Sequence, residues 1–302
     1  MISRDIIFNK FKWLKDKHRY FIISSNYDGL ICAAFLSNYL NWELAGYYNM
    51  EKIWISESGI QNKKDLIWVD LDILPSAGRT LGGHIVKLDN NIPRGFNNSC
   101  NPNILLNLSN HNFKQKYPLS TLAFLMWLFE ISIPKTLFGK FLILHSDAMW
   151  LKYQKYSKNF NNWLDLLNDY QWEQLFERTN TLGYEKKVDQ IFYPELIQIG
   201  AISGFSKLIS KHLNIKSRES KFNPDWDEDI ILELLSLFAE HLSWNPLCMP
   251  EIKKKIKGKK YSIGIDTVNT IGLNKFIKNK KIFSYAITSP KIIKYTVFDI
   301  IK

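Results

Sequence analysis

The twenty residues Phe21-Ile-Ile-Ser-Ser-Asn-Tyr-Asp-Gly-Leu-Ile-Cys-Ala-Ala-Phe-Leu-Ser-Asn-Tyr-Leu40 narrow the choice of folds more than any other part of the chain. Phe21-Ile22-Ile23 is an apolar run long enough for a buried strand and too short for a helix. A polar break follows, Ser24 to Gly29. Apolar residues then recur at Leu30, Ile31, Ala34, Phe35 and Leu40, which is a helical period. Strand, polar turn and helix in succession is how α/β proteins bring functional groups to the carboxyl edge of a parallel sheet. Asp28 stands where a side chain reaches that edge, and Gly29 lets the chain turn sharply beside it. The same place suits a helix cap, and the segment alone leaves both roles open.

The rest of the chain repeats the pattern. Residues 3–18 read as an amphipathic helix, and Trp42–Tyr48, Lys52–Ser56, Leu66–Ile73 and His84–Leu88 as strands. A loop rich in Asn, Pro and Gly covers 89–103, Pro118–Glu130 is a strongly apolar helix, and Phe141–Leu144 reads as a strand leading into His145-Ser146-Asp147. Over residues 1–150 this alternation predicts an α/β domain, a mostly parallel sheet flanked by helices. Residues 151–250 read as a helical region, with a helix over 227–242 whose acidic first turn suits its dipole. Past a lysine run, three short strands at 261–265, 282–287 and 294–298 predict a small basic β-containing module over 251–302.

Hydrophobic residues make up 46% of the 302 positions, enough for a packed core, so wholesale disorder is excluded. Cys32, Cys100 and Cys248 are too scattered for a disulfide framework or a cysteine metal site. No signal-peptide core and no apolar run of about 20 residues is present, so a cytoplasmic, soluble protein is expected. The net charge is +11, and residues 251–302 hold thirteen lysines against Glu251, Asp266 and Asp299. Charge this uneven points to a polyanion, most simply nucleic acid. Lys253, Lys254, Lys255, Lys257, Lys259 and Lys260 are the candidate contacts, with Arg79 and Arg94 as loop arginines near the sheet edge.

Asp28 follows the first strand, Asp70 lies near the end of another, His84 begins the next, and Asp147 follows a fourth. Such positions converge on one edge of a parallel sheet. Three carboxylates and an imidazole form a hard oxygen/nitrogen set suited to Mn²⁺ or Mg²⁺ rather than structural zinc. A cation there serves metal-assisted phosphoester hydrolysis. Asp72, two residues beyond Asp70 and on the same side of a strand, and His145, beside Asp147, are additional catalytic candidates.

Residues 20–150 resemble the catalytic domain of the DHH phosphoesterase superfamily, RecJ-like single-strand nucleases in particular. Ser24-Ser-Asn-Tyr-Asp-Gly29 lies where that family has His-x-Asp-x-Asp-Gly, and Leu30–Ala34 resembles the small-residue helix start after it. Val69-Asp70 matches the second-motif aspartate, Gly82-Gly-His-Ile85 falls at the Asp-His-His signature, and Asn101-Pro-Asn103 and Tyr117-Pro118 resemble the segment after it. Phe141–Asp147 resembles the fourth motif. The resemblance implies a metal-dependent phosphodiesterase or nuclease acting on single-stranded nucleic acid or nucleotides, with Asp28, Asp70, His84 and Asp147 as metal ligands. Ser24 and Asn26 replace ligands of the family's second metal, which implies one Mn²⁺ or Mg²⁺ ion rather than two. The glycine-rich motif of the family's carboxyl-terminal module has no counterpart.

Two further readings stay open. The fold is retained without chemistry, as in inactive relatives, and the chain binds nucleic acid or a protein partner as a subunit of a complex. In the other, the strand–turn–helix is a PP-loop of an ATP pyrophosphatase, which calls for Ser-Gly-Gly-x-Asp-Ser where this chain has Ser24-Ser-Asn-Tyr-Asp-Gly29.

Overall fold

The structure, a computed structural model, describes residues 2–74, 79–92 and 96–298. It is an α/β protein whose compact units do not follow the linear segments 1–150, 151–250 and 251–302. One unit gathers Met1–Ile6, Ser25–Asn38 and Pro118–Leu247, and the other Ile7–Ser24, Tyr39–Tyr117 and Cys248–Lys302. The first is called the helical unit here and the second the sheet unit.

In chain order the strands are β1 (Tyr20–Ser24), β2 (Glu43–Tyr48), β3 (Lys52–Ser56), β4 (Ile67–Val69), β5 (Arg79–Leu81), β6 (Ser99–Cys100), β7 (Gly204–Ile209), β8 (Lys216–Glu219), β9 (Ile252–Gly264), β10 (Ile282–Ser289) and β11 (Ile292–Phe298). Nine form one sheet in the order β10-β11-β9-β3-β2-β1-β4-β5-β6. The run β2-β1-β4-β5-β6 is parallel throughout. The expected parallel set is therefore present, with β1 inside it between β2 and β4, where both faces are covered and an apolar strand is stable. From β3 to β10 every pairing is antiparallel.

The carboxyl-terminal β-region is joined to the rest of the sheet. The lysine run lies inside β9, which pairs with β3 through Ile53↔Ile256 and with β11 through Tyr295↔Tyr261. Side chains alternate along a strand: Ile256 packs against the core cluster of Ile22, Tyr48, Ile53 and Trp68, so Lys255, Lys257 and Lys259 project from the opposite face. Tyr48 meets Phe283 edge-on at 5.6 Å and hydrogen-bonds Ser284 at 2.7 Å, which ties β10 to the same core. Gly46 is required where β2 passes β3, since a Cβ there would stand 2.0 Å from the Trp54 carbonyl oxygen.

The helical unit holds the helix Tyr27–Leu40, the apolar helix Thr121–Leu128, capped by Ser120, and the amphipathic helix Glu228–Leu242. Phe141–Leu144 belongs to the helix Leu137–His145 rather than to a strand. Thr136 caps that helix by accepting from Gly139 N at 3.1 Å. A four-residue apolar run fits a buried helix as well as a strand, and here the cap decides. β7 and β8 form a hairpin in this unit. No helix among the described residues is long and apolar enough to cross a membrane.

Candidate functional site

Ile23 and Val69 are partners in the parallel β1–β4 ladder. The next residues, Ser24 and Asp70, are consequently neighbours, and Ser24 Oγ donates to Asp70 Oδ2 at 2.6 Å. Asp70 is 3% exposed and has φ +57°, the left-handed region that aspartate tolerates better than most residues. Its N–H donates to Leu81 O at 2.7 Å. This bend ends β4 and turns the carboxylate toward His84, whose Nε2 lies 3.0 Å from Asp70 Oδ1.

His84 sits on an irregular loop rather than on the expected strand. Buried polar groups replace the strand ladder in holding it. Asp72 Oδ2 accepts from His84 N and Ile85 N, both at 3.2 Å. Asn101 Nδ2 donates to Ile85 O at 3.1 Å and to Asp72, and Asn103 Nδ2 donates to Gly83 O at 2.8 Å. Tyr117 N donates to Asn103 Oδ1 at 2.7 Å. A side chain at Gly83 would meet the Tyr117 ring at 2.8 Å. Gly82-Gly83, Asn101-Pro102-Asn103 and Tyr117, distant in sequence, thus act together to fasten the loop that carries His84. Asp72 does not sit beside Asp70 on a strand, because β4 has already ended. It is buried behind the loop, where burial raises its carboxyl above the ordinary value against the opposing pull of His84 and Asn101.

In the helical unit the turn's two open roles divide between two residues. Asn26, not Asp28, caps the helix Tyr27–Leu40, its Oδ1 accepting from Gly29 N at 2.9 Å. Asp28 accepts instead from Ser146 Oγ at 2.9 Å and from Asp147 N. Asp147 and Ala148 both have positive φ, 54° and 51°, so the chain reverses tightly after the helix Leu137–His145. Lys152 Nζ stands 3.4 Å from Asp147 Oδ1. His145 is buried edge-on against Tyr27 at 4.7 Å and Phe192 at 5.3 Å, and burial pushes its imidazole down to about 3, so it is neutral.

Each unit accordingly brings together two of the four expected ligands, Asp70 with His84 and Asp28 with Asp147. No protein-family model matches this chain, and neither the curated proteins nor the solved structures give a match. The residues themselves must carry the functional reading.

A cavity of about 350 Å³ opens in the helical unit against Asp28, His145 and Asp147 on one side and the β8 edge, Arg218 to Lys221, on the other. Nothing in the sequence singled out Arg218 or Ser220, which lie in an undistinguished polar stretch. Ser99, Ser146 and Lys152 also escaped notice, because their roles depend on partners between 5 and 118 residues away. Of the basic candidates, Arg79 pairs with Asp65 at 3.0 Å and Arg94 lies outside the described residues. Lys253, Lys254, Lys255, Lys257, Lys259 and Lys260 are all exposed along β9.

Proposed function

We propose that the chain is a divergent DHH-type, RecJ-like metal-dependent phosphoesterase acting on single-stranded nucleic acid or nucleotides. The Asp70–His84 pair is the observation that supports this most. Two adjacent ligands of an octahedral ion with bonds of about 2.1 Å stand about 3.0 Å apart, and Asp70 Oδ1 and His84 Nε2 are separated by 3.0 Å. The donor types, one carboxylate oxygen and one imidazole nitrogen, fit Mn²⁺ or Mg²⁺. Asp70 and His84 would hold the ion, and the sequence reading assigns Asp28 and Asp147 to the same ligand set.

A bound cation of this kind lowers the pKa of a coordinated water and neutralises charge on phosphoryl oxygens. The chain's own contribution is positional. Ser24 fixes Asp70 through Oδ2 and leaves Oδ1 toward His84. The Asp72–Asn101–Asn103 network fixes the His84 backbone, as surrounding hydrogen bonds commonly do for metal ligands. The lysines of β9 offer a basic track for a phosphate backbone.

A second reading, a non-catalytic subunit that binds nucleic acid or a protein partner, is favoured by a different observation. Ser24 and Asn26 stand where the resemblance places metal ligands, and here they orient Asp70 and cap a helix. One experiment separates the two. Mn²⁺ binding is followed by calorimetry, and hydrolysis of single-stranded DNA, RNA and a dinucleotide by product analysis, for wild type, Asp70→Asn, His84→Ala and Asp28→Asn. The phosphoesterase reading expects Mn²⁺-dependent turnover that Asp70→Asn abolishes, with affinity for the ion down about tenfold or more. Nucleic-acid binding without turnover supports the second reading. The absence of both ion binding and Asp70-dependent turnover overturns the first.

A further inference from the structure

We propose that a second cavity of the helical unit, apart from the one beside Asp28, binds an aliphatic polyamine. Residues 159–177 carry four acids and no lysine, arginine or histidine, in a chain whose net charge is +11. The same stretch is rich in aromatic residues. Folded, it lines a cavity of about 800 Å³, to which Tyr153 adds a further ring. That volume lies within the range of small-molecule sites, about 300–1,000 Å³. Tyr153 and Tyr170 are half-buried, so each leaves part of its surface open at the cavity. Phe176 stacks on Tyr153 at 4.9 Å and Trp172 meets Tyr170 edge-on at 4.6 Å, almost wholly buried themselves. A cation near such rings is attracted by their quadrupoles, most strongly where water is excluded.

The walls are set before a ligand arrives. Tyr170 Oη donates to Ile131 O and Trp172 Nε1 to Leu167 O, both at 2.6 Å, and Gln171 Oε1 accepts from Ile133 N at 3.2 Å. Trp127 Nε1 donates to Asn168 O at 3.0 Å. These bonds occupy the polar ends of the two rings and fasten the turn that joins the helices Ser157–Leu166 and Trp172–Phe176. A site ordered in advance loses less entropy when it binds.

Charge selects a cation, and the other polar groups narrow its class. Asp165, Glu173 and Glu177 line the cavity, and among the described residues no basic side chain does. Glu177 stands 3.4 Å from Arg178 in an exposed pair. Asp165 and Glu173 make no ion pair or side-chain hydrogen bond among the described residues. The side-chain amides of Asn161 and Gln174 are likewise without a partner among them, and their carbonyl oxygens accept from N–H groups. A quaternary ammonium has no N–H to offer, and a bare metal ion fills little of a hollow this wide. A polyamine brings several charges on one flexible chain, N–H donors for the acids and amides, and methylene groups to lie against the rings.

The test is equilibrium dialysis of labelled spermidine in EDTA, with choline, butylamine and, in separate samples free of EDTA, Mg²⁺ as competitors. Proteins are wild type, Asp165→Asn combined with Glu173→Gln, Tyr153→Leu, Glu195→Gln and Asp70→Asn. Wild type is expected to bind spermidine saturably, about tenfold or more better than choline or butylamine, and to keep it in equimolar Mg²⁺. The double acid variant should lose about tenfold in affinity with a level melting temperature, since both side chains are exposed and unpaired. Tyr153→Leu, which keeps the apolar contact and removes the ring, should lose about fivefold. Glu195→Gln, an exposed acid elsewhere in the helical unit, and Asp70→Asn, in the sheet unit, should leave binding unchanged, so the result is separable from the phosphoesterase reading. Choline or Mg²⁺ matching spermidine, full affinity in the double acid variant or in Tyr153→Leu, or an equal loss in Glu195→Gln or Asp70→Asn overturns the proposal.

Discussion

Glu185 is completely buried, and its carboxylate organises the turn between β7 and β8. Oε2 accepts from Ser210 Oγ at 2.6 Å and Leu213 N at 2.7 Å, and Oε1 from Gln154 Nε2 at 3.0 Å and Lys211 N at 3.1 Å, with His212 N shared between them at 3.1 Å. Burial alone would raise this carboxyl, but Ser210, Leu213, His212 and Gln154 together hold it below the ordinary value. In Glu185→Gln one oxygen becomes an amino group that cannot accept. Whichever way the amide turns, two donors lose their partner: Leu213 N and Ser210 Oγ, or Lys211 N and Gln154 Nε2. At about 1–3 kcal/mol each, the variant should lose about 2–6 kcal/mol. A loss of 3 kcal/mol corresponds to a fall of about 6–12 °C in a chain of this size. The pH dependence has a definite sign. Because the folded carboxyl titrates lower than the unfolded one, its stabilisation is complete above the unfolded value of about 4.3 and fades as pH falls through the folded value. Thermal unfolding followed by circular dichroism at pH 7, 5, 4 and 3 should therefore show the gap between wild type and variant narrowing below about pH 4. A shift under about 2 °C at pH 7 would refute the reasoning, as would a gap that widens on acidification.

Asn103→Ala removes the donor to Gly83 O and the acceptor of Tyr117 N, and should cost about 3 kcal/mol in chemical denaturation. It should also weaken Mn²⁺ binding in calorimetry by loosening the His84 loop. Gly46→Ala forces a Cβ against the Trp54 carbonyl and should lower the stability measured by denaturation by more than about 3 kcal/mol. If the β9 lysines contact a nucleic acid backbone, the affinity for single-stranded DNA should fall with the logarithm of salt, and Lys255→Gln with Lys257→Gln should flatten that slope by about 1.4, or 0.7 per lost contact. An unchanged slope rules those two lysines out.

Much of the sheet was readable because its strands carry their own signals. The Phe21–Ile23 run, the Trp42–Tyr48 segment and the two terminal strands all fall within a few residues of the expected places. The failures share a cause. Phe141–Leu144 offered four apolar residues that suit either period, and only the Thr136 cap gave the helix away. His84 stands on a loop held by side-chain amides, whose pairing over about twenty residues has no periodic trace. The lysine run was not read as a strand because charge masks the alternation of Ile256 and Gly258 on the core side of β9. Asp28 and Asp70 do follow strands as expected, whereas Asp147 follows a helix, His84 stands on a loop, and the cavity walls beside Asp28 left no trace in the sequence. Arg218 and Ser220 acquire meaning only where β8 meets the residues beside the helix start, through the Asn26–Lys221 bridge.

β9 occupies a slot in the middle of the sheet, between β3 and β11, although nearly two hundred residues separate it in sequence from β3. As the chain leaves the ribosome, β3 must wait with one row of amides and carbonyls unpaired until synthesis has reached Ile252–Gly264. Such an open edge invites another chain to dock along it. The thirteen residues of β9 close it late, and their lysines discourage a neighbouring copy from taking the vacancy first.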